Sequence, residues 1–236
     1  MRIINQTSFA VSSDELRPAM MGVLFQIKKG EIKTVATDGH RLVRMVSTAM
    51  PGVKAEREVI IPAKALNILS KSLEEKTSNV SIDESHIVFT FGNTVLTSRL
   101  IEEKYPNYDS VIPGDNDKQL LANKNELLQS VRRIALYASS TTHQIRFSIK
   151  KNSLTIAAED IDFGSEASEK LTCEYAGDSM EIGFNAGYII DILSHIDTDE
   201  VVFLFSTPTR AGIVKPAKQR DGEDLLMLVM PVRLNA

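Results

Sequence analysis

Two segments of the chain share one pattern of apolar and polar positions. Residues 25–38 (Phe-Gln-Ile-Lys-Lys-Gly-Glu-Ile-Lys-Thr-Val-Ala-Thr-Asp) align without gaps with residues 147–160 (Phe-Ser-Ile-Lys-Lys-Asn-Ser-Leu-Thr-Ile-Ala-Ala-Glu-Asp), 122 residues later (147 − 25). Apolar residues alternate with polar ones on both sides of the centre, which is typical of paired strands. Gly30 and Asn152 stand at the centre, and both residue types tolerate the positive φ of a tight turn. The pattern therefore predicts the same β-hairpin twice.

A second match has nearly the same spacing. Residues 67–70 (Asn-Ile-Leu-Ser) and 191–194 (Asp-Ile-Leu-Ser) lie 124 residues apart (191 − 67), each within a helical pattern. Alternating strand patterns follow each of them, at 79–82 and 86–90, and at 201–205 and 212–214. Two matches favour an internal repeat over chance similarity. We predict an α+β fold of two homologous domains, residues 1–113 and 114–236, each with two helices packed on antiparallel sheets.

Three segments carry apolar residues at helical spacing, at 63–73, 123–139 and 187–196. The first two have apolar stripes that consist of Ala65, Leu66, Leu69 and Leu73, and of Leu127, Leu128, Val131, Ile134, Ala135 and Ala138. Lys64, Lys71 and Arg133 point away from these stripes, either as solvated charges or as parts of a basic surface. Leu136 and Tyr137 also fall outside the stripe, so they either contact another protein or pack under a loop.

Composition and charge narrow the class of protein. The 236 residues are 43% hydrophobic and 25% charged, with a net charge of −4. No stretch approaches the roughly 20 apolar residues of a membrane span, and the first residues do not resemble a signal peptide. Cys173 stands alone, which excludes an intrachain disulfide, so we expect a cytoplasmic protein. The negative charge disfavours a tight grip on nucleic acid but permits a protein that encircles DNA with few phosphate contacts.

Asp38-Gly39-His40 is the one segment that suggests chemistry. An aspartate and a histidine two residues apart could act as an acid–base pair, and a hydrolase centred on them is the alternative function. The second copy of the repeat reads Asp-Ile-Asp at 160–162 and lacks the histidine. A turn in which Asp38 accepts bonds from backbone amides and Gly39 has an unusual φ explains the pattern better. No catalytic residue, metal ligand or cofactor is predicted, and substitution of His40 would abolish turnover only in a hydrolase.

The chain ends on an apolar segment, residues 225–234 (Leu-Leu-Met-Leu-Val-Met-Pro-Val-Arg-Leu). A buried last strand accounts for residues 225–229. Met230, Val232 and Leu234 continue as an apolar tail, although Pro231 cannot donate to a sheet ladder. Such a tail must pack against the rest of the protein or form one wall of a binding site.

Four stretches resemble signatures of the bacterial DNA polymerase III beta subunit, the beta sliding clamp. They are residues 34–42 (Thr-Val-Ala-Thr-Asp-Gly-His-Arg-Leu), 105–108 (Tyr-Pro-Asn-Tyr), 181–185 (Glu-Ile-Gly-Phe-Asn) and 229–234 (Val-Met-Pro-Val-Arg-Leu). They occur in the family's order and span nearly the whole chain. The family forms a closed ring of two protomers, each with three domains of one fold. The resemblance implies the DNA-clamp fold, with residues 1–113 as a slightly truncated middle domain, 114–236 as the C-terminal domain, and the first domain absent.

The resemblance also implies a function. A sliding clamp is a non-catalytic processivity factor that encircles double-stranded DNA without reading its sequence. It tethers the replicative polymerase, the clamp loader and repair proteins through a hydrophobic pocket that captures short linear peptides. The residues that the resemblance assigns to this pocket are Met20, Thr37, Gly39, His40, Arg41, Leu42, Pro106, Val111, Thr142, Thr209, Leu228, Val229, Met230, Pro231, Val232 and Arg233.

Other positions are assigned by the same resemblance. Lys64, Lys71 and Arg133 would face the DNA, and Leu136 and Tyr137 would form the contact between protomers. The full-length protein is expected to be a homodimer and the present chain a monomer that leaves this contact exposed. Residues 17–19 (Arg-Pro-Ala) stand where some relatives present tyrosines to DNA, so no stacking role is carried over to them.

Overall fold

The computed structural model describes residues 1–48, 56–72 and 79–234. The chain divides into two compact units, Met1–Tyr108 together with Arg220–Leu225, and Asp109–Gln219 together with Leu226–Ala236. The division after Tyr108 falls a few residues before the predicted domain boundary at residue 113, which stays a prediction. Among the residues described, no helix is both long enough and apolar enough to cross a membrane.

The first unit begins with a helix and continues mainly as antiparallel strands. Its helices are α1 (Arg2–Thr7) and α2 (Ala63–Ser72), with short 3-10 turns at Ser8–Ala10 and Pro18–Met21. Its strands are β1 (Gly22–Lys28), β2 (Glu31–Thr37), β3 (Arg41–Ser47), β4 (Arg57–Pro62), β5 (Asn79–Ile82), β6 (His86–Phe91) and β7 (Thr94–Arg99). They pair antiparallel in the orders β3-β2-β1-β4 and β5-β6-β7.

The segment Arg220–Leu225 completes the first unit from the far end of the sequence. The Arg2 guanidinium donates to the Glu223 carboxylate at 2.7 Å, and the Arg44 guanidinium donates to Asp224 at 2.7 Å. The backbone N–H of Thr48 donates to the carbonyl of Gly222 at 2.8 Å. Contacts that join residues about 180 to 220 positions apart are therefore part of this unit's fold.

The second unit repeats the plan of the first with more strands. Its helices are α3 (Lys124–Ile134) and α4 (Ala186–Ser194). Its strands are β8 (Lys118–Asn123), β9 (Gln144–Lys150), β10 (Ser153–Asp160), β11 (Ser165–Thr172), β12 (Glu174–Tyr175), β13 (Met180–Asn185), β14 (Glu200–Phe205), β15 (Gly212–Pro216) and β16 (Glu223–Val229), whose first three residues belong to the first unit. The strand orders are β11-β10-β9-β13 and β12-β8-β14-β15-β16.

The internal repeat is confirmed at the level of strand register. Phe25 pairs with Thr34 in the first hairpin, and Phe147 pairs with Ile156 in the second, which are equivalent positions 122 residues apart. Both turns have the predicted backbone, because φ is 79° at Gly30 and 53° at Asn152. The α+β class and the antiparallel sheets are confirmed as well.

The predicted helix at 123–139 is wrong over its last residues. It begins as expected, because the Asn123 side chain accepts a hydrogen bond from the N–H of Glu126 at 3.0 Å and caps the helix. The α-helix ends at Ile134, and a 3-10 turn follows at Ala135–Tyr137. The apolar stripe ends at Ile134, so burial no longer favours regular helix beyond it, and two serines with poor helix propensity follow. In α2, by contrast, the predicted stripe is buried as far as Leu69, and Leu73 lies outside the described residues.

Four phenylalanines form the centre of the second unit's core. Phe147, Phe184, Phe203 and Phe205 are each 1% exposed or less. Their rings lie at centroid distances of 5.4 Å for Phe147–Phe184, 6.2 Å for Phe147–Phe203 and 5.8 Å for Phe203–Phe205. The cluster joins β9 and β13 of one sheet to β14 of the other, and ring contacts of this kind add to the gain from burial.

Candidate functional site

The turn between β2 and β3 is held by a dense set of hydrogen bonds. The Thr37 hydroxyl donates to the carbonyl of Arg41 at 2.7 Å and accepts from the N–H of Gly39 at 3.0 Å. One Asp38 carboxylate oxygen accepts from the N–H groups of His40 and Arg41, both at 2.9 Å. Gly39 has a φ of 92°, which favours glycine. The predicted structural role of this turn is confirmed.

These hydrogen bonds also involve the Asp38 carboxylate, the group that would act as the base in a hydrolase centred on Asp38 and His40. The second Asp38 oxygen, Oδ2, accepts from the Arg41 guanidinium at 3.1 Å, so both carboxylate oxygens have partners. A general base must be able to reach the proton that it removes, and this carboxylate instead organises its own turn. Within the described residues, no three His, Cys, Asp or Glu side chains lie close enough together to hold a metal ion.

Arg41 has a buried side chain rather than an exposed one. It is 9% exposed, and its Nη2 donates to the carbonyl of Phe9 at 3.1 Å. Its guanidinium carbon lies 5.4 Å from the centre of the Phe9 ring. Of the other predicted residues in this turn, Leu42 is buried, whereas Gly39 and His40 are exposed. The turn therefore presents Gly39 and His40 on its surface, with Arg41 beneath them.

Two further predicted residues of the first unit lie outside its strands and α-helices. Met20 is half-buried in the 3-10 turn Pro18–Met21, and its carbonyl accepts from the N–H of Ser12 at 2.8 Å. Pro106 is exposed between two buried tyrosines, Tyr105 and Tyr108. Burial raises the pKa of the Tyr105 hydroxyl above its ordinary value. The tyrosines anchor this segment and leave Pro106 on the surface.

Arg17 was assigned no role from the sequence, yet it lies against the same turn. Its Nη1 is 3.0 Å from the point where a side chain on Gly39 would place its Cβ. Arg17 is held by Asp14, whose Oδ2 accepts from the Arg17 Nε at 2.8 Å. No sequence pattern indicated the approach, because it joins two loops that are 22 residues apart (39 − 17).

In the second unit, the apolar tail packs against the strand β13. The N–H of Val232 donates to the carbonyl of Gly183 at 2.9 Å, which forms an antiparallel bridge. A Cβ on Gly183 would lie 2.7 Å from the Val232 carbonyl oxygen and 2.9 Å from the Leu234 side chain. Gly183 is therefore the residue that permits the tail to approach. The sequence placed it within a family signature but gave it no role of its own.

The predicted tail residues divide into buried and exposed ones. Leu228 and Val229 are core residues, at 2% and 0% exposure, whereas Met230 is 41% exposed. Pro231 and Val232 are half-buried, and Arg233 is exposed. Within this run, Met230 is the apolar side chain most available to a partner.

The remaining predicted residues of the second unit lie in loops. Thr142 is exposed next to the end of β13, where its carbonyl accepts from the Asn185 side chain at 3.4 Å. Val111 and Thr209 are exposed in turns. A groove of about 580 Å³ in this unit is lined by Thr142, Arg146 and Ile161, among others. Of the described residues that were predicted to form the peptide pocket, Thr142 is the one that lines this groove.

The three basic residues predicted to face DNA differ in their surroundings. Lys64 and Lys71 are exposed on α2. Arg133 instead makes two hydrogen bonds of 2.7 Å to the two carboxylate oxygens of Glu169 on β11. This bidentate pair fastens α3 to β11 and neutralises the Arg133 charge locally.

Loss of the Arg133 partner is expected to raise the pKa of Glu169. Hydrogen bonds from the Arg133 guanidinium hold the pKa of the Glu169 carboxyl below its ordinary value. The pair therefore stabilises the fold at neutral pH, and this contribution is lost as the pH falls through the lowered pKa. In Arg133→Gln, an NMR titration of the Glu169 carboxyl carbon should move its midpoint towards the ordinary glutamate value. Arg132→Gln, which removes the neighbouring guanidinium, is the matched control, and an unchanged midpoint in Arg133→Gln would contradict the assignment.

Leu136 and Tyr137 are exposed, at 82% and 44%. Their 3-10 turn packs against β10 and β11. The turn that joins those two strands exposes Ile161 and Phe163, at 83% and 82%, which the sequence analysis did not single out. Their signal was present as two large apolar residues in a polar turn, Asp-Ile-Asp-Phe-Gly at 160–164. Exposed apolar residues in such numbers are typical of a surface that another protein covers.

Comparison with known families assigns both units. Residues 1–107 match the central domain of the DNA polymerase III beta subunit, and residues 109–233 match its C-terminal domain. Together, these two matches cover almost the whole chain and occur in the order that the resemblance implied.

Individual relatives and solved structures agree with this assignment. The beta sliding clamp of Pseudomonas aeruginosa is 33% identical over 235 residues, which are 99% of this chain and 63% of the relative. A crystal structure of the sliding clamp from the same organism has a TM-score of 0.92 at 32% identity and covers 99% of this chain and 63% of that one. A P. aeruginosa clamp bound to griselimycin gives the same values.

The chain thus spans a little under two thirds of the length of these relatives. Sliding clamps serve DNA replication as non-catalytic processivity factors. With both units matched to consecutive domains of one family, the chain belongs to the DNA polymerase III beta subunit family, the bacterial sliding clamps.

Proposed function

We propose that this chain forms part of a ring that encircles double-stranded DNA and keeps the replicative polymerase attached to it. The match of both units to consecutive sliding-clamp domains carries the proposal. The net charge of −4 is compatible with a ring that holds DNA by topology, because such a ring needs few phosphate contacts. Lys64 and Lys71, exposed on α2, would make such contacts without reading sequence.

The second part of the proposal is a peptide site formed by the residues that the resemblance assigned. In the second unit, an exposed methionine follows a buried strand, and the bridge between Val232 and Gly183 holds the chain beyond it. In the first unit, a hydrogen-bonded turn presents Gly39 and His40. Short peptides with apolar anchors bind preformed apolar surfaces of this kind, and the flexible methionine side chain adapts to different partners. The partners would be the polymerase, the clamp loader and repair proteins.

Leu136 and Tyr137 are proposed as the contact between protomers. Their exposure, and that of Ile161 and Phe163 nearby, suits a surface that a second protomer covers in the ring.

Replacement of Met230 by alanine should weaken peptide binding by about five- to tenfold. The reason is that truncation removes the most exposed apolar side chain of the tail, and losses of about 1 kcal/mol or more are usual at such anchors. Fluorescence anisotropy with a labelled peptide that carries Gln-Leu and Leu-Phe anchors measures the dissociation constant. Val95→Ala, at a side chain that is 63% exposed in the first unit, is the control and should bind like the unsubstituted chain. If the unsubstituted chain shows no saturable binding at high micromolar concentration, the peptide site is refuted.

A further inference from the structure

Phe9 contacts Arg41, one of the residues of the predicted peptide site. We propose that Phe9 is a positioning residue, which fixes the β2–β3 turn by holding the Arg41 guanidinium beneath it. The inference rests on the proposed peptide site and adds to it a residue that no sequence pattern indicated. Phe9 lies in the 3-10 turn Ser8–Ala10 after α1, outside the signature stretches.

Phe9 holds Arg41 in two ways. Its carbonyl oxygen accepts from the Arg41 Nη2 at 3.1 Å, and its ring lies under the guanidinium, with 5.4 Å between the guanidinium carbon and the ring centre. The Arg41 side chain is only 10% exposed, so little water competes for these contacts. A planar guanidinium suits both interactions, because its edge donates hydrogen bonds while its face stacks on an aromatic ring.

Arg41 in turn holds the carboxylate that shapes the turn. Its Nε donates to Asp38 Oδ2 at 3.1 Å, and Asp38 Oδ1 accepts from the N–H of His40 at 2.9 Å. A continuous path therefore runs from Phe9 through Arg41 and Asp38 to the exposed residue His40. Because the β2–β3 turn is already ordered, peptide binding does not have to meet the entropic cost of ordering it. Phe9 thus favours binding without touching the peptide.

Phe9 can be changed without opening the core. Its side chain is half-buried, whereas Ile4 in α1 and the adjacent Ala10 are buried in the core and stay unaltered. Leucine at position 9 keeps the backbone carbonyl and most of the apolar volume but removes the aromatic face. Tyrosine keeps that face. Phe25→Leu is the matched control, because Phe25 is half-buried in the same unit and pairs with Thr34 and Val59, away from the turn.

Phe9→Leu should weaken peptide binding about three- to tenfold in the anisotropy assay, which matches the loss of a partly desolvated cation–π contact. Phe9→Tyr should restore affinity, and Phe25→Leu should leave it unchanged. Combining Phe9→Leu with Arg41→Gln should weaken binding no further than Arg41→Gln alone, because both changes break one path. In the absence of peptide, Phe9→Leu should shift the NMR signal of the Arg41 Nε–H, and Phe25→Leu should not.

The results separate this inference from the function on which it rests. Absence of saturable binding by the unsubstituted chain would overturn the peptide site itself. Normal affinity in Phe9→Leu would overturn the positioning role alone. Additive losses in the double variant would also overturn it, because Phe9 would then act independently of Arg41.

Discussion

Replacement of Gly183 by alanine is expected to displace the C-terminal tail and reduce peptide affinity at least about tenfold, which corresponds to roughly 1.4 kcal/mol. The added Cβ would lie 2.7 Å from the Val232 carbonyl oxygen, closer than non-bonded carbon and oxygen atoms approach each other. The obstructing atom belongs to the backbone, so a side-chain rotation cannot relieve the contact. The tail must therefore move, and it carries Met230 and Pro231 with it.

The matched control for this change is Gly114→Ala in the same unit. A Cβ on Gly114 would meet no atom within 4 Å, so this variant tests the cost of a methyl group without a clash. Peptide affinity is measured by anisotropy and folding by circular dichroism. Gly183→Ala should retain the secondary structure, because β13 is the edge strand of its sheet and the bridge to Val232 lies on the side opposite its ladder with β9. Equal peptide affinity in both variants would mean that the tail is not part of the site.

The largest loss of stability is expected for Phe203→Ala. Phe203 is fully buried and stacks on Phe205 at 5.8 Å, and its ring also meets Phe147 at 6.2 Å. Truncation of a buried phenylalanine costs about 3–5 kcal/mol, because it removes buried apolar surface and leaves a cavity. That is a large part of the roughly 5–15 kcal/mol by which a domain is stable. The midpoint of urea unfolding of the second unit should fall by about 2 M.

Phe163→Ala is the control for this change. The residue type and the substitution are the same, but the Phe163 side chain is 82% exposed on the turn after β10. Its removal should change the free energy of unfolding by less than about 0.5 kcal/mol. A small effect of Phe203→Ala, similar to that of Phe163→Ala, would show that the aromatic cluster does not form the core.

The elements that the sequence predicted well are those set by local pattern. Period-two alternation around Gly30 and Asn152 was sufficient for both hairpins, because strand register follows from the alternation and from the turn. The end of α3 was not predictable in this way. In the sequence, the apolar stripe continues through Ala135 and Ala138. Such a stripe does not distinguish an α-helix from a 3-10 turn, because the two differ only by a small tightening of the backbone.

In the candidate site, too, the features set by local sequence were predicted and those set by distant residues were not. The turn at Asp38 and Gly39 was predicted because both residue types have strong local preferences. The contacts of Arg41 with Phe9 and of Arg133 with Glu169 were not, since each joins side chains more than 30 residues apart (41 − 9, 169 − 133). Pairing of that kind depends on the folded chain. It leaves no periodic trace in a single sequence.

The segment Arg220–Leu225 has a consequence for the order of events during synthesis. A ribosome makes Met1–Tyr108 first, yet the partners of Arg2 and Arg44 are added only after the second unit's segment Asp109–Gln219. At common translation rates, that delay is on the order of ten seconds. Until then, the nascent first unit lacks the carboxylates of Glu223 and Asp224 and the carbonyl of Gly222 that accepts from the N–H of Thr48. The first unit is therefore completed only after the second unit's segment has been made.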